Sequence, residues 1–132
     1  IVALGRWALG KYKNKQLEKR KIEIQGEGNY ESLRLHLENL ICIQSADNYV
    51  EVSFLDNGKL KKQLIRTKLS TVEKNHPELL RTHRSYIINP AHFQTFKTTD
   101  GKQGVQLSSD IFTPVSKTYA TAVKTALHFT TN

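Results

Sequence analysis

The apolar and polar positions change rhythm near residue 21. Residues 1–10 are mostly apolar, with Trp7, and a basic flank of Lys11, Lys13, Lys15, Lys19, Arg20 and Lys21 follows. From Lys21 onward the period is two, the mark of strands whose side chains alternate between faces. KIEIQ at 21–25 sets Ile22 and Ile24 on one face, and GEGN at 26–29 interrupts it. YESLRLHL at 30–37 resumes the alternation with Leu33, Leu35 and Leu37 together. LICIQ at 40–44 is a continuous apolar run, the pattern of a buried strand. SADN at 45–48 is a loop, and YVEVSFL at 49–55 is a strand with Val50, Val52 and Phe54 on one side. Asp56-Asn57-Gly58 predicts a hairpin, because Asn-Gly supplies the positive φ angles of a tight turn, and KLKKQLI at 59–65 is the returning strand.

A short helix is expected at 67–75, capped by Thr67 or by Ser70 with Glu73 as a capping box, and stopped by Pro77. SYIIN at 85–89 reads as a strand that Pro90 ends. HFQTFK at 92–97 and GVQLS at 104–108 pair across Asp100-Gly101, and IFTPV at 111–115 is extended. Residues 116–129 form a helix with Tyr119, Val123 and Leu127 on one stripe, flanked by Ala122 and Ala126. Turn signals recur about every ten residues, so the predicted fold is mainly β: small antiparallel sheets from about eight or nine short strands, with short helices. The chain divides into a basic linker helix at 1–21, preceding the sheets, and a β-rich domain at 22–132.

Composition sharpens this picture. The chain has 132 residues and 38% hydrophobic content, enough for a packed core. It contains no methionine, so it is read as a piece of a longer protein. The formal net charge of +8 favours an anionic partner, and its distribution says more than its sum. Residues 1–22 carry seven Lys/Arg against one Glu, residues 23–58 one Arg against seven acids, and residues 59–84 eight Lys/Arg against two Glu. The basic cluster at 59–84 is therefore the informative one. Cys42, the single cysteine, sits in the apolar run and reads as a small buried hydrophobe in a reducing cytosol.

The apolar stretch at 1–10 falls short of the roughly 20 residues that span a bilayer. Two readings of 1–22 stand side by side. One is the last turns of a membrane helix that begins upstream of Ile1, with the basic flank on the cytoplasmic side. The other is an amphipathic linker helix packed on the domain or on a second copy. A signal peptide is excluded, because the charge follows the apolar run.

Catalytic chemistry is not visible. His36, His76, His83, His92 and His128 show no metal-ligand spacing, and GxSxG, GxGxxG and P-loop sequences are absent. No metal or cofactor is expected, and binding is favoured over catalysis. Three polar segments stand out at the edges of regular structure. Asp47-Asn48-Tyr49 follows a buried strand, and Asn can pair bidentately with adenine. Thr82 to Tyr86 enters a strand, and Arg84 can fork onto guanine or clamp a phosphate. Ser116-Lys117 opens the last helix, where free backbone N–H groups favour an anion. Arg66 and Lys68 sit at the start of the short helix and could bind phosphate. Each segment also has a plainer reading: Asn48 as a positive-φ turn residue with Tyr49 packed, Arg84 as an ion-pair partner for an acid of 23–58, Lys117 as a solvated helix-start residue. Spacing alone does not bring the segments together.

At these residues the sequence resembles the LytTR DNA-binding domains of the LytR and AgrA type of bacterial regulators. The matching motifs are ICIQSADNYVEV at 41–52, LIRTKLSTVE at 64–73, LLRTHRSYIINP at 79–90 and TPVSKTYA at 113–120. They come in the family's order and cover roughly residues 22–128. The resemblance implies an elongated all-antiparallel domain of three small sheets whose loops enter successive major grooves. It places Asn48, Arg84 and Lys117 at base-contacting positions, with Tyr49 as the alternative to Asn48. It gives His83, Ser85, Arg66, Lys68 and Ser116 phosphate or supporting roles. The family often has Arg where this chain has Lys117, which lacks the bidentate fork, so a phosphate role gains weight there. The implied partners are double-stranded DNA, a second copy on repeated half-sites, and a sensor region upstream of Ile1. Family members usually follow a phosphorylated receiver; residues 1–22 look more like the exit from a membrane-anchored sensor, which would tether a cytoplasmic domain to the inner membrane face. The rival class is a β-rich protein-interaction or membrane-surface module dominated by the basic N-terminal stretch.

Overall fold

The computed structural model describes residues 20–27 and 32–131, with side chains of the last helix through residue 127. The linker helix expected at 1–21 lies outside the described residues up to 19; of the other two, Arg20 is not helical and Lys21 already belongs to the first strand. Among the described residues, ten strands build three antiparallel sheets. In chain order they are β1 (Lys21–Gln25), β2 (Ser32–His36), β3 (Leu40–Ala46), β4 (Tyr49–Asp56), β5 (Lys59–Ile65), β6 (Leu80–His83), β7 (Tyr86–Ile88), β8 (Phe93–Thr99), β9 (Lys102–Leu107) and β10 (Phe112–Pro114). Two α-helices accompany them among the described residues, α1 (Leu69–Asn75) and α2 (Lys117–Thr131). The mainly β reading holds.

The central sheet has the order β5-β4-β3-β7-β6, flanked by the β1-β2 pair and by the sheet β10-β9-β8. Its two faces carry separate cores. On one, Ile43, Val50, Val52, Ile65 and Ile87 pack with Ile22 and Ile24 of β1 and with Leu69 and Val72 of α1. On the other, Ile41, Cys42 and Ile88 meet Val105 and Leu107 of β9 and Val123 and Leu127 of α2. A strand covered on both sides has no polar face to present, which is why the LICI run is unbroken. A β-bulge between Leu40 and Cys42 lets the consecutive Ile41 and Cys42 serve the same core. Burial pushes the Cys42 thiol up to about 11, so it stays protonated and unreactive.

Two hairpins form where turn chemistry predicts them. Asn57-Gly58 and Asp100-Gly101 each place two successive residues at positive φ (53° and 81°; 53° and 77°), the conformation that matches the twist of paired strands. The loop at 45–48 is shorter than expected. Ser45 and Ala46 belong to β3, and the turn is Asp47-Asn48 alone, with Asp47, not Asn48, at positive φ.

The first helix starts differently from its expected capping. Lys68 occupies the cap position, without a side-chain hydrogen bond, and Thr67 is buried at 4% exposure. Leu69 and Val72, three apart, both enter the core, and this burial sets the helix start. Glu73 turns away to pair with Arg81 at 2.7 Å. Strand β6 was not separable by alternation, and SYIIN shortens to Tyr86–Ile88 because Ser85 lies in the preceding turn. Among the described residues, no helix is long and apolar enough to cross a membrane.

Candidate nucleic-acid interface

Register brings the separated polar segments to one end of the central sheet. Strand β3 runs toward the Asp47-Asn48 turn and pairs antiparallel with β7, Gln44 opposite Tyr86. One step further, Ser45 N–H donates to the Ser85 carbonyl at 2.9 Å. The Asn48 turn and the Arg84-Ser85 turn are therefore neighbours at the same end. Strand β5 finishes there too, since Ile65 pairs with Val50, and this carries Arg66, Thr67 and Lys68 alongside.

The third segment arrives by a different device. A bulge in β6 pairs Arg81 with Ile87 and His83 with Tyr86, which leaves Thr82 unmatched. The Thr82 carbonyl accepts from Ser116 N–H at 3.0 Å. This bond docks the start of α2, and hence Lys117, beside His83. It also engages one of the backbone amides that the sequence left free for an anion. Bulges commonly re-aim groups next to sites in this way. The Asp100-Gly101 hairpin closes the row. A cleft of about 690 Å³ lies between it and the α2 start, lined by His83, Tyr86, Lys102, Phe112, Ser116 and Lys117.

Asn48, Tyr49, Arg66, Lys68, Arg84 and Lys117 are exposed at this end; His83, Ser85 and Ser116 are half-buried. Tyr49 is 39% exposed and so is not packed away. Arg84 has no acidic partner among the described residues. The arginine of this segment that is ion-paired is Arg81, three residues earlier, whose side chain is only 13% exposed. Arg81 donates to Glu73, to the His83 carbonyl at 2.9 Å and to the Arg84 carbonyl at 2.5 Å, and its guanidinium lies 5.8 Å from the Tyr119 ring centroid. It holds the backbone of the turn against both helices and leaves the Arg84 side chain to solvent. Sequence reasoning missed Arg81, because two arginines three apart carry no local sign of which is buried. It also missed Lys102, whose position just after the Asp100-Gly101 turn was the available signal.

His83 orders the same turn from inside. Its Nδ1 accepts from Ser85 N–H at 3.1 Å, and its ring stands edge-on to Tyr86, with centroids 5.7 Å apart. Burial, then the positive charges of Arg84, Arg81 and Lys102, hold its pKa below the usual histidine value. A proton on Nδ1 would also displace the Ser85 bond. Because the folded pKa is depressed, the unfolded chain binds the proton more readily. The contribution is fully present above about 6.5 and is lost as pH falls through the folded pKa. The stability advantage of wild type over His83→Gln is thus expected to shrink between pH 7 and pH 5 in thermal melts. A pH-independent difference would contradict this assignment. Among the described residues, no three His, Cys, Asp or Glu side chains converge on a metal position.

Comparison with known proteins agrees with this architecture. The LytTR family model, described as the LytTr DNA-binding domain, matches residues 30–128. The transcriptional regulatory protein BtsR of Escherichia coli K12 is 35% identical over 95 residues, covering 71% of this chain and 39% of BtsR. BtsR from Escherichia coli O6:H1 and from Shigella flexneri gives the same figures, so the chain spans 39% of the length of these relatives. A solved LytTr DNA-binding domain from Bacillus cereus superposes with a TM-score of 0.63 at 18% identity, over 80% of this chain and 95% of that one, and so shares the fold. With three-sheet architecture, motif order and family model in agreement, the chain belongs to the LytTR family of DNA-binding domains.

Proposed function

We propose that the turn-bearing end is a reading edge for duplex DNA and that the chain acts as the sequence-specific module of a transcription regulator. Asn48, Arg84 and Lys117 are assigned to base edges in successive major grooves. Tyr49, Arg66, Lys68, His83, Ser85 and Ser116 are assigned to phosphates or to supporting the turns. Phosphate contacts would fix position and the few base contacts would specify the site, on two copies at repeated half-sites. The observation that carries this reading is the convergence itself. The Ser45–Ser85 and Thr82–Ser116 backbone bonds set three segments, far apart in sequence, along one edge rich in exposed donors. Turns, not a helix laid in the groove, would then do the reading, unlike helix-turn-helix proteins.

The experiment is a salt series of fluorescence anisotropy. The whole chain is titrated with a duplex chosen by selection from a random pool, beside a scrambled duplex of equal length. The expected result is at least tenfold tighter binding to the selected duplex, with log affinity falling steeply against log salt. Selection that returns no preferred duplex would overturn the sequence-reading role and favour the surface-module alternative.

A further inference from the structure

A second cavity, with a volume of about 310 Å³, lies between the β8–β9 hairpin and α2 and shares Gln103 and Val115 with the cleft at the turns. Its volume is at the lower end of small-molecule sites. Its floor is apolar: Val123, fully buried, with Val115 and the bare backbone of Gly104. Phe96 forms a wall and is 45% exposed, unusual for so large an apolar ring. The rim carries Lys97 from β8 and Lys124 from α2, and no acidic residue lines the cavity. An apolar floor beneath two ammonium groups is complementary to a molecule with an apolar body and a single negative head. The lysine stems can line the opening while their charges stay hydrated.

We infer that the groove formed by Phe96, Gly104, Val115 and Val123 binds a small amphipathic anion, such as a medium-chain or aromatic carboxylate, whose head is held by Lys97 and Lys124. A neutral ligand of the same size would leave both lysines unused, and an inorganic anion would leave the floor uncovered. The site is placed to communicate with the turns. Val115 immediately precedes Ser116, and Val123 lies roughly 10 Å along α2 from Lys117. Binding of such an anion does not require that the turns read DNA.

The test uses the whole chain, with octanoate and its uncharged analogue octanamide as probes, followed by amide chemical shifts. Octanoate is expected to give saturable shifts confined to β8, β9, β10 and the first half of α2, and to bind at least tenfold more tightly than octanamide. The double charge reversal Lys97→Glu with Lys124→Glu changes only exposed positions. It should erase this preference while leaving octanamide binding and the rest of the spectrum unchanged. Phe96→Ala should weaken both probes together. The inference is overturned by shifts that grow linearly without saturating or scatter over the surface, by equal octanoate affinity in the charge-reversed variant, or by binding that emerges only after deletion of residues 1–19, which would give the groove to the chain's own N-terminal segment.

Discussion

Replacing Gly104 by alanine is expected to destabilise the domain by about 3 kcal/mol, at the upper end of the usual cost of overpacking. Gly104 is buried in β9, where it pairs with Pro114 of β10 and Lys97 of β8. A methyl group there would overlap the Phe112 ring and the Thr113 carbonyl oxygen. The ring could rotate, but the carbonyl belongs to the backbone of β10, so the strand itself must move. That movement has nowhere to dissipate. Val115 N–H donates to the Gln103 carbonyl at 3.0 Å, and the next residue, Ser116, is fixed to Thr82. The denaturation midpoint in urea should fall with little change in slope. DNA affinity measured under native conditions should fall as well, because the start of α2 shifts. A loss under about 1 kcal/mol would mean that β10 yields easily and does not position Lys117.

The second large effect is on binding alone. Arg84→Ala is expected to weaken the selected duplex by about 1–3 kcal/mol, roughly 5- to 150-fold. Stability should stay within about 0.5 kcal/mol of wild type, since the exposed side chain has no acidic partner among the described residues to abandon. The backbone of the turn is held by Arg81 and His83 and should survive the substitution. Arg84→Lys separates the two chemistries open to the side chain. A base reader needs the planar fork, so lysine would keep the salt slope and lose discrimination between duplexes. A phosphate contact needs only charge, so lysine would recover most of the affinity. An Arg84→Ala loss of equal size on the scrambled duplex would remove Arg84 from base reading.

What could be read from the sequence was local or periodic. Asn57-Gly58 and Asp100-Gly101 announced their hairpins because positive φ is written into the residue types. Ile22 with Ile24, and Val50 with Val52, announced their faces because burial imposes a period of two. The missed features depend on tertiary pairing. Strand β6 hid because its inward-facing residue, Thr82, is polar and bulged out of register. Ser70 and Glu73 matched a capping box in sequence, yet core burial of Leu69 began the helix earlier and Arg81 claimed Glu73. The candidate residues were nameable one by one, and their resemblance to a family grouped them, but their adjacency follows from β3 pairing with β7 and from a carbonyl offered by a bulge. The basic cluster at 59–84 divided in the same way. Arg66, Lys68 and Arg84 lie at the turn-bearing end, whereas Lys59 begins β5 at the far end, some 20 Å away. Lys61 pairs with Asp56 and Lys62 with Glu51.

Those three lysines have a use that has nothing to do with nucleic acid. Strand β5 closes one side of the central sheet and, among the described residues, its outer row of backbone donors and acceptors has no strand partner, with Leu60 and Leu64 exposed at 40% and 55%. Such a border invites another molecule's strand to continue the sheet, and fibres grow by repeating that step. An approaching copy of β5 would have to displace the hydrated side chains of Lys59 and of the Lys61–Asp56 and Lys62–Glu51 pairs before its backbone could reach the edge. A border of charged, hydrated side chains is thus expected to deter pairing between copies.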